Sequence, residues 1–180
     1  MIAATVAVFA FSLACAFIGG CDEKAGADVA RVRLGGKSFF LEVVADDATR
    51  FKGLSGRTHI EPDGGMLFVF PANKVAVQQF VMRDCPIPID IVYLDGQGRI
   101  LSWYAMTPEP PRAADEGTPG QHSTDDTPGN RKYEARLKKY SSRFPTTFVI
   151  ELAGGTLQNL KLAEGDKVDL DVEGLKKRAR

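Results

Sequence analysis

What this chain has little of removes several functions at once. Its 180 residues hold two histidines, His59 and His122, too far apart in sequence for a His-x-x-x-His ligand pair. Three cysteines stand at 15, 21 and 85, and none forms a Cys-x-x-Cys pair, so neither a zinc motif nor a disulfide framework is encoded. No EF-hand loop or phosphate-cradling loop occurs, and the glycine pairs at 35, 64 and 154 read as turns. No metal and no cofactor is therefore expected. Charge of one sign is not in excess either: 23 Lys+Arg face 23 Asp+Glu, for a formal net charge of zero. A nucleic-acid partner is not expected, because neutralising phosphates calls for a basic surplus. The last absence is local: residues 1–20 carry no charged side chain at all.

That uncharged stretch, MIAATVAVFAFSLACAFIGG, ends abruptly at Cys21-Asp22-Glu23-Lys24. An apolar run closed by small residues is the pattern of an export signal. Ile18-Gly19-Gly20-Cys21 resembles the bacterial lipobox, in which an aliphatic residue and two small residues precede the lipidated cysteine. The resemblance implies cleavage before Cys21, lipidation of its thiol, and a polar tether over residues 21–28. Several acyl chains give stable anchoring where one is marginal. An uncleaved span is the alternative, since about 20 apolar residues cross a bilayer. Either way the remaining chain faces the periplasm or the cell exterior, with the membrane as a partner.

The body is long enough for one domain with a real core, and 44% hydrophobic residues suit a folded protein. Two apolar-rich runs, 29–34 and 37–44, flank Gly35-Gly36 and predict a hairpin. Asp46-Asp47 offers the cap of a short helix that stops at Gly53 or Gly56. Runs at 66–70, 75–82, 89–94, 99–106, 146–152 and 167–172 read as further strands, the pair around Asp95-Gly96-Gln97-Gly98 as a second hairpin. Residues 107–131, rich in Pro, Gly, Asp and Thr, read as a mobile loop, followed by a helical turn or two over 133–140. A short helix is predicted near 157–160, and residues 174–180 read as an unpacked basic tail. The expectation for residues 29–173 is a mainly β domain, a sandwich or flattened barrel, with two or three short helices.

A series of motifs then carries a family likeness. It runs Arg50-x-x-Gly53-Leu54-x-x-Arg57, Gly65-Met66-Leu67-Phe68-Val69-Phe70, Phe80-x-Met82-Arg83, Ile87 through Asp95, Ile150-Glu151-Leu152-x-Gly154, and Gly165-Asp166. In order and spacing this resembles the DUF192 family of unknown function. The resemblance implies a compact β-sandwich-like domain, commonly exported or lipid-anchored, and it implies no activity. Where the family carries Trp after the phenylalanine, this chain has Val81.

Arg50, Arg57, Arg83, Asp84 and Asp90 are the polar members of these apolar motifs, and so the candidate ligand-binding residues. Asp90 shares a strand face with Val92 and Leu94, where an unpaired carboxylate is costly. Arg57 is its expected partner, in a pair that either fixes the short helix or holds an anionic or hydroxylated ligand. Cys85 lacks a histidine at telling spacing and reads as a half-buried structural thiol. Met66, Phe68, Phe70, Phe80 and Met82 alternate like core residues, with an apolar ligand slot as the second reading. Trp103-Tyr104, beside a hairpin, is a slightly better surface-recognition candidate, with core packing again the first reading. The combined expectation is an envelope-exposed binding or interaction module, with an unidentified small molecule or protein as partner. The alternative is a hydrolase or transferase on envelope glycans that uses carboxylates such as Asp84 and Asp90.

Overall fold

The computed structural model describes residues 28–122 and 124–180. The expected signal segment and Cys21 lie outside the described residues. No helix among the described residues is long and apolar enough to cross a membrane.

Among the described residues, eight strands build two sheets. The first hairpin pairs β1 (Val29–Leu34) with β2 (Lys37–Val44), and Gly35 and Gly36 turn it with φ of 56° and 83°. Asp46 caps α1 (Asp47–Lys52) by accepting the Thr49 N–H at 3.0 Å, and Gly53 ends it. There follow β3 (Met66–Val69), β4 (Ala76–Phe80), β5 (Ile89–Leu94), β6 (Ile100–Met106), α2 (Pro128–Arg136), β7 (Tyr140–Thr146), β8 (Phe148–Ala153) and α3 (Val172–Arg178). Six strands form one sheet in the order β1-β2-β3-β8-β5-β6, antiparallel throughout except for β2 beside β3. β4 and β7 pair as a separate ribbon. The mainly β expectation is met, as two sheets rather than a closed barrel.

Both faces of the large sheet are covered, which is why β5 and β8 are apolar almost without interruption. On one face Leu34, Phe39, Leu41, Leu67, Val92 and Ile150 pack under the C-terminal segment, including Val168 and Leu175. On the other, Met66, Phe68, Ile91, Tyr93 and Val149 pack under Met82, Cys85 and Tyr140 from the ribbon side. Glu151 of β8 stands in register between Met66 of β3 and Ile91 of β5, and therefore on this second face. β3 meets β8 closely here. A Cβ on Gly65 (φ 145°) would lie 2.2 Å from the Glu151 carbonyl oxygen, so the position takes only glycine.

Three expectations need correction. Residues 133–140 are split between α2, which starts five residues earlier at Pro128, and β7. The predicted last strand is reduced to isolated bridges at Lys167 and Asp169. The basic tail is a helix, α3, capped by Asp171, with Leu175 buried in the core. Its three basic residues fall in the last turn, where they complement the helix dipole.

Candidate functional site

The arginines and aspartates singled out by sequence are scattered. Arg57 pairs with Glu42 through two hydrogen bonds of 2.7 and 2.5 Å on the surface. Asp90 is buried on the opposite layer, where its carboxylate accepts the backbone N–H of Leu157 at 2.7 Å. The expected Arg57–Asp90 pair does not exist: β5 turns Asp90 toward the C-terminal segment, whose turn supplies a backbone donor instead. A double-mutant cycle of Arg57→Ala and Asp90→Asn, read by urea denaturation, is expected to give a coupling energy of about zero. Arg57→Ala alone should cost under about 1 kcal/mol, as exposed pairs do.

Arg50 is buried and braces α1. It donates to Asp47 (2.6 Å) and to the carbonyls of Val69 (2.7 Å) and Arg180 (2.7 Å), tying α1 to β3 and the chain's last residue. Arg83 holds both carboxylate oxygens of Glu134 in α2 and lies over the Phe51 ring, 4.7 Å from its centre. Asp84, with a left-handed φ of 48°, accepts two hydrogen bonds from Arg112 (2.9 and 3.1 Å) and one from the Gly120 N–H (2.9 Å). Burial alone would raise its pKa, but these donors outweigh burial and lower it.

These contacts give the 107–127 segment an internal framework. Arg112 also reaches the Glu116 carbonyl (2.8 Å) and Asn130 (3.0 Å), and its guanidinium stacks 3.6 Å from the Tyr133 ring centre. Glu116, buried, takes two hydrogen bonds from Arg136, which bring its pKa down to about 2. Polar residues thus supply what the segment lacks in apolar ones.

The one concentration of unusual chemistry lies elsewhere, between the large sheet, α1 and the β4 side of the ribbon. A cavity of about 450 Å³ opens there. Phe68, Phe70, Phe80 and Met82 line it, so four of the five alternating apolar residues border a real space, while Met66 packs in the core behind. Cys85 and Ser55 join the wall, and His122 reaches it from the long segment, its ring stacked on Phe51 at 3.3 Å between centres. At its inner wall is Glu151. That side chain is 5% exposed and makes no hydrogen bond or ion pair to any described residue. No carboxylate oxygen among the described residues is sealed away from solvent without a partner, so the Glu151 carboxyl opens into the cavity. Burial without a partner pushes its pKa up to about 8.

Sequence reasoning passed over Glu151, although its signal was present. Glu151 interrupts the apolar run Phe148-Val149-Ile150-Glu151-Leu152 in a central strand covered on both faces, where a polar side chain is buried. Cys85, also on the wall, keeps its proton: burial pushes the thiol up, and it donates to the Ile87 carbonyl at 3.6 Å.

A two-sheet β domain with a lined, acid-bearing cavity is the class of protein that fold and site define. The DUF192 family profile, described as uncharacterized ACR, matches residues 30–170, and the chain belongs to that family. Among solved structures it is similar to a proposed transcription regulator from Sinorhizobium meliloti 1021, at 25% identity and TM-score 0.58, over 79% of this chain and 93% of that one. It is also similar to a protein of unknown function from Novosphingobium aromaticivorans DSM 12444, at 24% identity and TM-score 0.54, over 78% of this chain and 83% of that one. No curated protein matches it.

Proposed function

We propose that this chain is an envelope-exposed binding module, anchored by a lipid on Cys21, that takes a small molecule into the cavity above Glu151. One observation carries the reading. A carboxyl buried with no partner among the described residues is a cost that a fold retains where something else meets it, and here it faces an open space of ligand size. Aromatic walls with a few converging polar groups are the usual make-up of such sites. The anchoring half of the proposal rests on Ile18-Gly19-Gly20-Cys21.

The enzymatic alternative has less to stand on. Asp84 and Asp90, its candidate acid–base pair, share no partner and are held by separate donors. The Cys85 thiol is kept protonated.

Native mass spectrometry of the full-length protein, released gently from membranes of a bacterial host, tests the proposal. A discrete small-molecule adduct is expected on the wild type and should be missing from Ser55→Trp, which puts a large ring on the cavity wall. Cys21→Ser should remove the added mass of the acyl chains from the protein. A bare wild-type protein, or an adduct indifferent to Ser55→Trp, would refute the cavity as the binding site.

A further inference from the structure

The charge balance of the cavity wall indicates what kind of molecule it takes. α1 contributes Asp47, Arg50 and Lys52; the segment after β4 contributes Arg83 and Cys85; the long segment contributes His122; and Tyr93 of β5 lies near Glu151 beneath the wall. Most of these are already committed. Arg50 is held by Asp47 and two carbonyls, Arg83 by both oxygens of Glu134. Burial keeps the Tyr93 hydroxyl and the Cys85 thiol protonated, and each donates to a carbonyl, that of Tyr140 (2.7 Å) and that of Ile87. Lys52 is exposed at the rim, where solvent screens it. Asp47 is paired with Arg50, and His122 stacks on Phe51 with its Nδ1 accepting the Thr124 N–H at 3.2 Å. Among the described residues of the wall, Glu151 is thus the carboxyl left without a cation beside it.

The rings divide in the same way. Phe51 and Phe70 already carry guanidinium groups, of Arg83 at 4.7 Å and of Arg50 at 5.4 Å. Among the described residues, none places a cation over Phe68 or Phe80. They meet edge to face, centres 5.0 Å apart, and both line the cavity. An aromatic wall beside a buried carboxyl suits a cation, which gains an ion pair and aromatic contact together. Once Glu151 is ionised, an anion would meet it with repulsion, and a neutral molecule would leave its charge uncompensated.

We infer that the cavity takes a small organic cation of the alkylammonium class, with Glu151 as counter-ion and Phe68 and Phe80 as its aromatic wall. The inference rests on the cavity being the ligand site proposed above, and it adds the ligand's charge. Binding to the protonated form of Glu151 releases its proton to solvent, so cation affinity rises with pH until Glu151 is ionised.

The test uses probes of matched shape on the full-length protein in a non-ionic detergent: choline, its neutral isostere 3,3-dimethylbutan-1-ol, and 3,3-dimethylbutanoate. Calorimetry in two buffers of different ionisation enthalpy reads affinity and proton release together. Choline should bind at least about tenfold more tightly than the alcohol at pH 8, release close to one proton at pH 6.5, and gain about tenfold in affinity per pH unit below pH 8. Glu151→Gln should remove the preference and the proton release, and Phe80→Leu should weaken choline more than the alcohol. Equal binding of choline and the alcohol overturns the inference and leaves the cavity reading intact. Tighter binding of the butanoate overturns it, as does the absence of binding by all three. In that last case the adduct measurement above decides separately whether the cavity is a site at all.

Discussion

Between about pH 5 and pH 8 the ligand-free wild-type protein is expected to lose roughly 4 kcal/mol of stability relative to Glu151→Gln, about 1.4 kcal/mol per pH unit. Burial holds the Glu151 carboxyl at about 8 in the folded protein, against an ordinary value of 4.5. Below pH 4.5 folded and unfolded chains both carry the proton, and the contribution of Glu151 to stability is at its fullest. Between 4.5 and 8 only the folded chain carries it, so each added pH unit favours unfolding. Above 8 both are ionised and the loss is complete. Carboxylates such as Asp84 and Glu116, whose values are lowered, act in the opposite direction and below this window. Urea denaturation at a series of pH values, wild type against Glu151→Gln, isolates the effect. Parallel curves would mean that Glu151 is charged and solvated in the folded state.

Arg112→Ala should cost roughly 3–5 kcal/mol, the range for removing one partner of a buried pair. The Arg112 side chain is 3% exposed and that of Asp84 12%. Without Arg112, Asp84 keeps only the Gly120 N–H and the Tyr133 hydroxyl near it, while Asn130 and the Glu116 carbonyl lose a donor. Tyr133 also loses the guanidinium stacked on its face. Lysine should restore little, because it has neither the planar fork nor the stacking surface. The expected readout is a lowered urea midpoint together with faster protease cleavage within 107–127. A cost under about 1 kcal/mol would show that the segment is held by something other than this network.

How far the structure could be read from sequence depended on how local the deciding interactions are. The hairpins 29–44 and 89–106 were legible because turn glycines and alternation sit side by side in the chain. β7 was not. Its pairing with β4 slips between Val77 and Gln79, Arg143 adopts a φ of 62°, and Pro145 sits in the strand, so its apolar period is broken. Ser142 supplies the bond the bulge interrupts, accepting the Gln78 N–H at 3.0 Å. The α3 tail was illegible for a related reason: its seven residues carry one buried leucine, and its carboxyl end matters because Arg50 reaches it from 130 positions away. Alternation marks Asp90 as a carboxylate on a buried face, but its donor is a backbone N–H in a distant turn, which no charge pattern announces. Glu151 obeyed the same rule as Asp90 and was the more informative of the two, because its face of the sheet ends in a cavity and not in a hydrogen bond.

A direct test of the central claim is the titration of the Glu151 carboxyl carbon by 13C NMR in the ligand-free protein, assigned by comparison with Glu151→Gln. A midpoint near 8 is predicted, moving downward when choline is added. A midpoint near 4.5, unmoved by choline, would contradict the account: it would place the carboxylate in water or against a protein partner and leave the cavity without its charge.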